Sequence, residues 1–236
     1  MPTISVVIPA WNEEKYIETA LDLIAKQTIQ PLEVIVVDNN SIDNTVAIAK
    51  KKGARIIKET QQGITPARNA GFNAAKGDII ARTDADTHVP PNWLETMIEI
   101  FDSNPDIVGV SGPSSFFEEE ESEHPQVMKS ELLTKTYIAF AGLIHGHEIM
   151  IGPNMGVKKA AWEKIKNNVE MNDSIVHEDI DLAYHLSEVG LVTFDKRLTV
   201  EISARRLKNN PKSFFIDYVL KHKHGLLRRL RWETNS

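Results

Sequence analysis

Carboxylates recur in this sequence where the chain leaves an apolar run. Asp84-Ala85-Asp86 follows the run over 78–83, and Asp38 closes Leu32–Asp38. Ile4–Ala10 is followed at once by Trp11, Asn12 and Glu13. Two carboxylates one residue apart at a strand exit can share one divalent cation that also bridges a diphosphate. Mg²⁺ and Mn²⁺ take such a site, completing it with phosphate oxygens and water. The spacing alone is unspecific, since it recurs as Asp179-Ile180-Asp181. Asp38 could equally initiate the turn Asn39-Asn40-Ser41, and Trp11 could be core packing. Glu178 and Asp179 fall in the first turn of a predicted helix, where acids are favoured by the backbone dipole in any case. Arg68 could be an exposed helix residue. Arg205-Arg206 is either a solvated pair or a phosphate clamp, because guanidinium groups bind oxyanions bidentately. His177, His222 and His224 could ligate metal, but surface or packing roles are the simpler account.

The elements that must position these groups follow from hydrophobic period. Ile4–Ala10, Leu32–Asp38, Ala54–Lys58 and 78–83 are short apolar or β-branched runs, the mark of buried strands. Between them lie predicted helices over Glu13–Gln27, Asn44–Lys52 and Thr65–Lys76. Pro91 opens another, with Leu94, Met97, Ile98 and Phe101 inward. Such alternation predicts an α/β fold with a mostly parallel central sheet and helices on both faces. Ligands then bind outside the carboxyl ends of the strands. Beyond this the spacing predicts a strand at Ile107–Gly112, a loop over 116–124 and a helix over Val127–Leu143. Met150–Val157 is irregular with strand ends, helices span Lys158–Asn167 and Glu178–Val189, and Leu191–Ala204 is extended. A final amphipathic helix runs from Pro211 to about Trp232.

Composition removes whole classes. The 236 residues are 42% hydrophobic and 25% charged, which suits one globular body. With no cysteine there are no disulfides, thiolate metal sites or cysteine nucleophiles. No G-x-G-x-x-G follows the first strand, and no G-x-x-x-x-G-K-[ST] occurs, against dinucleotide and P-loop chemistry. The longest apolar run, Tyr137–Ile144, is far short of the roughly 18 residues that cross a bilayer. The start Met-Pro-Thr-Ile runs straight into a strand, so no signal peptide is expected and a cytoplasmic location follows. Charge is uneven. Residues 205–236 hold nine Lys/Arg against two Asp/Glu, while the rest holds 18 against 31. The acidic body and the lack of a nucleic-acid module argue against nucleic-acid binding. The basic stretch could meet an anionic membrane surface or pack on its own domain.

Taken in order, four segments resemble the catalytic domain of family-2 glycosyltransferases with the GT-A (Rossmann-like) fold. They are Val6–Glu14; Glu33–Ser41, closing at Asp43-Asn44-Thr45; Ala67–Gly71, leading through Gly77-Asp78 to Asp84-Ala85-Asp86; and His177–Leu182, closing at Gly190. The resemblance covers Thr3–Gly190. It implies an inverting, metal-dependent enzyme that moves a sugar from a nucleotide-diphosphate sugar, UDP-sugar first and GDP-sugar next, to a hydroxyl acceptor. The acceptor would be a glycan or a lipid-linked molecule, in cell-envelope or surface glycan synthesis. A polyprenyl-phosphate acceptor, or an inactive nucleotide-sugar binder, is the alternative.

The resemblance also implies roles. Pro9, Trp11, Asn12 and Glu13 would line the nucleotide, with Trp11 where the family more often has Tyr or Phe. Asp38 would accept from a base N–H, and Arg68 would lie near the phosphates. Asp84 would approach ribose and metal, and Asp86 would bind Mn²⁺ or Mg²⁺ directly. Asp179 would be the general base, with Glu178 touching acceptor. Gly152, Asn154 and Met155 would wall the sugar and acceptor site, and Arg205 and Arg206 could hold phosphate. The expected division is a catalytic domain over 1–204 and a basic amphipathic appendage over 205–236. Arg228-Arg229-Leu230-Arg231-Trp232 is similar to the Q-x-x-R-W motif of processive synthases, with arginine replacing glutamine. The transmembrane helices of those enzymes are missing, so polymerisation is not expected.

Overall fold

The computed structural model describes residues 1–117, 150–172 and 177–205. Strands β1 (Ile4–Ala10), β2 (Glu33–Asp38), β3 (Arg55–Lys58), β4 (Ile79–Arg82), β6 (Ile107–Ser111), β8 (Met155–Lys158) and β9 (Leu191–Phe194) form one sheet, in the order β3-β2-β1-β4-β8-β6-β9. Only β8 runs against its neighbours β4 and β6; the other pairings are parallel. A second sheet joins β5 (Thr87–His88), β10 (Val200–Ser203) and β7 (Ser114–Phe117), with β10 central.

Alternating side chains of β1 sort the core into two layers. Ile4, Val6 and Ile8 pack with helices α1 (Ile17–Ala25) and α4 (Trp93–Ser103) through Ile17, Leu21, Ile24, Trp93 and Met97. Val7 faces the other way, into a layer with Phe72 of α3 (Ile64–Ala74), Trp162 of α5 (Lys159–Ile165) and Leu182 and Leu186 of α6 (Glu178–Ser187). A short helix, α2 (Thr45–Lys51), lies on the first layer through Ala49. At Gly71 of α3, an added Cβ would stand 2.3 Å from Val7 Cγ1 and 2.9 Å from Val37 Cγ2. Glycine there sets how closely α3 lies on β1 and β2.

The fold agrees with the expected α/β plan and departs from it locally. Helix α1 begins at Ile17, not Glu13; ahead of it the amides of Asn12, Glu13 and Glu14 donate to Ser41 Oγ, Thr45 Oγ1 and an Asp43 carboxylate. The extended run 191–204 is two strands, split by a turn in which the Leu198 amide donates to the Asp195 carbonyl. The loop expected from 116 begins instead as the end of β7. The helices expected over Val127–Leu143 and beyond Pro211 lie outside the described residues. Among the described residues, no helix is long and apolar enough to cross a membrane.

Candidate active site

Strands β1, β2 and β4 are parallel neighbours, so their carboxyl ends lie together at one edge of the large sheet, where such sheets form their ligand crevice. The loops after β1 and β2 are laced together: besides the three amide bonds above, the Ile42 amide donates to Asn12 Oδ1 at 2.9 Å. Asn12 and Asn40 hold left-handed backbone (φ 55° and 67°), a conformation asparagine tolerates better than most residues. Asp38 Oδ1 accepts from the Ser41 amide at 2.9 Å, so the turn reading of Asp38 is realised. Trp11, at 55% exposure, stands out from the end of β1 as a ring free to stack, rather than in the core. Pro9 is buried within β1.

Beyond β4 the chain turns at Asp84, whose carbonyl accepts from the Thr87 amide. Asp84 Oδ1 lies 3.2 Å from Arg82 Nη2. Asp86 Oδ2 lies 2.7 Å from Nε of Arg205, which reaches in from the end of β10. Arg205 also donates from Nη2 to Glu13 Oε1 at 2.5 Å and lies over the Tyr16 ring at 4.5 Å. Although partial burial works against it, Glu13 and Asp86 hold the Arg205 guanidinium firmly protonated. No group of three or more His, Asp or Glu side chains is arranged as a metal cage among the described residues. Asp84 and Asp86 fit the other kind of site: two partly exposed carboxylates, one residue apart, that leave positions for diphosphate oxygens and water.

The opposite wall is the start of α6. Glu178 is buried between Arg68 of α3 and Arg82 of β4, and both guanidinium groups donate to its carboxylate. Arg68 Nη1 also reaches the Glu178 carbonyl at 2.7 Å. Burial alone would raise the Glu178 carboxyl, but Arg82 and Arg68 overcome it and hold the group below the usual carboxylate range. Asp179 is treated oppositely. Burial and the neighbouring Glu178 charge push its carboxyl up, against opposition from His177 and Arg82. Its side chain keeps 24% exposure. Asp179 Oδ2 accepts a long bond, 3.3 Å, from the Gly152 amide. A Cβ on Gly152 would stand 3.1 Å from both Nη atoms of Arg82, tighter than ordinary contact, so the bare glycine lets the loop pack close to the guanidinium. Asp181, the other member of the repeated D-x-D, accepts from the Glu170 amide at 2.7 Å and serves the fold.

Several residues sit differently from expectation. Arg68 is fully buried, with Nη1 on Glu178 and Nε on Asn69 Oδ1, while its Nη2 finds no hydrogen-bond partner among the described residues. Glu178 is likewise a buried ion-pair partner. The Asn154 side chain is fully buried, accepting from Trp93 Nε1 at 2.9 Å and donating to the carbonyls of Leu198 and Pro113. Met155 is buried in β8. A buried amide must find such partners, and the Gly152–Met155 loop finds them behind the site. Arg206, His222 and His224 lie outside the described residues. The sequence pointed to neither Arg82 nor Tyr16, and to Asp43 only as the end of a matching segment, with no role. Arg82 carried a signal: a charge inside a buried strand needs compensating partners.

The profile of "Glycosyl transferase family 2" matches residues 5–166. The uncharacterized glycosyltransferase EpsJ of Bacillus subtilis is 31% identical over 154 residues, which are 63% of this chain and 44% of that protein. The uncharacterized glycosyltransferase YibD of Escherichia coli is 27% identical over 195 residues, 75% of this chain and 54% of that protein. The chain thus spans about half the length of these relatives. Among solved structures, the mannosyltransferase PcManGT from Pyrobaculum calidifontis, in complex with GDP-Man and Mn²⁺, superposes with a TM-score of 0.74 at 19% identity. The match covers 98% of this chain and 64% of that one. Glucosyl-3-phosphoglycerate synthase from Mycobacterium tuberculosis, with Mn²⁺, UDP and glucosyl-3-phosphoglycerate, gives 0.59 at 19% identity, over 86% and 70% of the two chains. These likenesses show a shared GT-A architecture. With the family profile covering more than half of its length, the chain belongs to glycosyltransferase family 2.

Proposed function

We propose that the protein is an inverting glycosyltransferase that moves one sugar from a nucleotide-diphosphate sugar to a hydroxyl acceptor. The observation that carries this is one crevice with two carboxylate sets of opposite character. Asp84 and Asp86 at the end of β4 are drawn to guanidinium groups, whereas Asp179 at the start of α6 is pushed toward proton affinity. A divalent cation held by Asp86 and Asp84 would neutralise charge on the departing diphosphate. That the two structural neighbours carry Mn²⁺ beside GDP-Man or UDP supports such a cation here.

Trp11 would stack on the nucleobase, with Asn12, Glu13 and Asp38 around the nucleoside. Asp179 would take the acceptor hydroxyl's proton as that oxygen bonds the anomeric carbon. The bond from that carbon to the diphosphate oxygen breaks, and the electron pair leaves with the nucleoside diphosphate. Attack opposite the leaving group inverts the anomeric centre. An oxocarbenium-like transition state is expected, as in glycoside hydrolysis. Arg205 would move from Asp86 to the diphosphate, trading one oxyanion for another. Gly152 would line the acceptor side, with Asn154 and Met155 supporting it from the core. A partly exposed carboxylate at Asp179, beside the Gly152 amide, suits a hydroxyl acceptor, because a phosphate acceptor needs no base. UDP-sugar is the first donor to test and GDP-sugar the second. We place the work in envelope or surface glycan synthesis on the cytoplasmic side of a membrane. The basic residues 205–236 would there meet anionic lipid or a lipid-linked acceptor.

Calorimetric titration of UDP, GDP and their sugar conjugates, each with Mn²⁺ and with EDTA, tests the reading. Binding of one nucleotide that is lost in EDTA is the expected result. Absence of binding by every nucleotide overturns it, and binding without any turnover of sugar conjugate points to an inactive binder.

A further inference from the structure

Arg82 touches both halves of the crevice. It is fully buried at the end of β4. Its Nη2 meets Asp84, on the donor side, at 3.2 Å. Its Nη1 meets Glu178, whose next residue is Asp179. Gly152 packs close to both Nη atoms, leaving no room for a Cβ without a shift, and its amide donates to Asp179 Oδ2. One rigid, permanently charged fork therefore contacts the carboxylate expected to meet the donor, the helix start that carries the base, and the loop that hydrogen-bonds the base.

We propose that Arg82 is a positioning residue that transmits occupancy of the donor site, through Asp84, to the start of α6 and the Gly152 loop. The inference rests on the transferase reading above. Its physical basis is that a buried guanidinium cannot give up a partner without compensation. When Asp84 turns toward a bound cation or ribose, the pull on Nη2 weakens and Arg82 must be held more tightly by Glu178. The fork is planar, so tightening at Nη1 moves the whole guanidinium against the Gly152 backbone packed beside its Nη atoms. Asp179 is thereby drawn into register only when donor is present. Lysine, a single point charge, could serve Glu178 or Asp84 but not both in this geometry. Coupling of this kind travels through packed, charged networks with two arrangements.

Hydrogen–deuterium exchange of the full chain, with UDP and GDP each in the presence of Mn²⁺, tests this without an acceptor. In the wild type, the nucleotide that binds is expected to slow exchange by about tenfold both in a peptide covering 79–88 and in one covering 178–186. In Arg82→Lys and Arg82→Gln the slowing over 79–88 remains and that over 178–186 is lost. Arg82→Lys should also keep most of the melting temperature that Arg82→Gln loses, which separates the relay from simple stability. Should both variants fail to fold, Asp84→Asn saturated with nucleotide and Mn²⁺ removes the relay's input while leaving the Arg82–Glu178 pair. Slowing over 178–186 must then also disappear. The inference is overturned if 178–186 is slowed equally in the variants, or if the wild type binds nucleotide with no change there. A wild type that binds neither nucleotide overturns the transferase reading itself, and this inference with it.

Discussion

Glu178 and Asp179 are neighbours with the same formal charge, yet their surroundings drive them apart. The two guanidinium groups keep Glu178 ionised as a fixed anion, and that anion, with burial, raises Asp179. Two carboxyl groups pushed in opposite directions suit different work, structure for Glu178 and, on the proposed reading, proton transfer for Asp179. Asp179→Asn should leave nucleotide binding intact and lower transfer by about 10²–10⁴-fold, the usual worth of a general base. A fully active variant would remove Asp179 from that role. The sign of the pH effect follows. A base must be ionised, so turnover falls as pH drops through a value above the ordinary aspartate range of about 3.9. Glu178→Gln removes the like charge, so the acidic limb should move to lower pH, visible in the pH–rate profile of donor turnover. Stability should fall by about 3–5 kcal/mol as well, because Arg68 and Arg82 lose their buried partner. The positions of Asp38, Asp84, Asp86 and Asp179 were legible in the sequence, since each ends a strand, follows one closely or opens a helix. Arg82 and the burial of Asn154 were not. Which partner a buried amide or guanidinium finds depends on segments over 40 residues away, as with Trp93 and Asn154.

At the scale of elements, the crevice rim depends on side chains that replace helix hydrogen bonds. Asp43 accepts from the Thr45 amide and hydroxyl and from the Glu14 amide. Although burial raises the Asp43 carboxyl, those donors overcome it and hold it below the usual range. A depressed folded-state value means that its stabilisation is present at neutral pH and is lost as pH falls through that value. Asp43→Ala should cost about 1–2 kcal/mol in denaturant unfolding, and the deficit should vanish in acid. A loss unchanged at low pH would show that the carboxylate is not the cause. Gly71→Ala should cost about 1–3 kcal/mol or more, since Val7 and Val37 are both core residues that cannot step aside. An unchanged melting temperature would mean that α3 is freer than its packing implies. Helix and strand identities were readable here because period and breakers agree. The start of α1 was not, because the bonds its leading amides make to Ser41, Thr45 and Asp43 join residues about 30 apart in sequence.

For the molecule as a whole, two sheets meet at the site. The Ser203 amide donates to the Asp86 carbonyl, and β10 pairs with both β5 and β7. The carboxylate pair is therefore framed by the large sheet behind and the small sheet in front. Asp86→Ala should abolish the part of nucleotide affinity that EDTA removes from the wild type, measured by the same calorimetry. Equal affinity of the variant with Mn²⁺ would exclude Asp86 as the cation ligand. The doubly wound body was legible from strand–helix alternation. The small sheet was not, because strands of two to four residues leave too short a period to detect.

The small sheet also fixes where the chain departs. Phe117 and Ser203 stand opposite each other in register, and Ile151, just after Met150, is tied by its amide to Ser111 Oγ at the end of β6. The stretches 118–149 and 206–236 are thus joined to the body at neighbouring strand ends beside the crevice, and neither interrupts a strand of the seven-stranded sheet. Changes of sequence or length in those stretches would therefore leave the seven-stranded sheet and the carboxylates at its strand ends where they are.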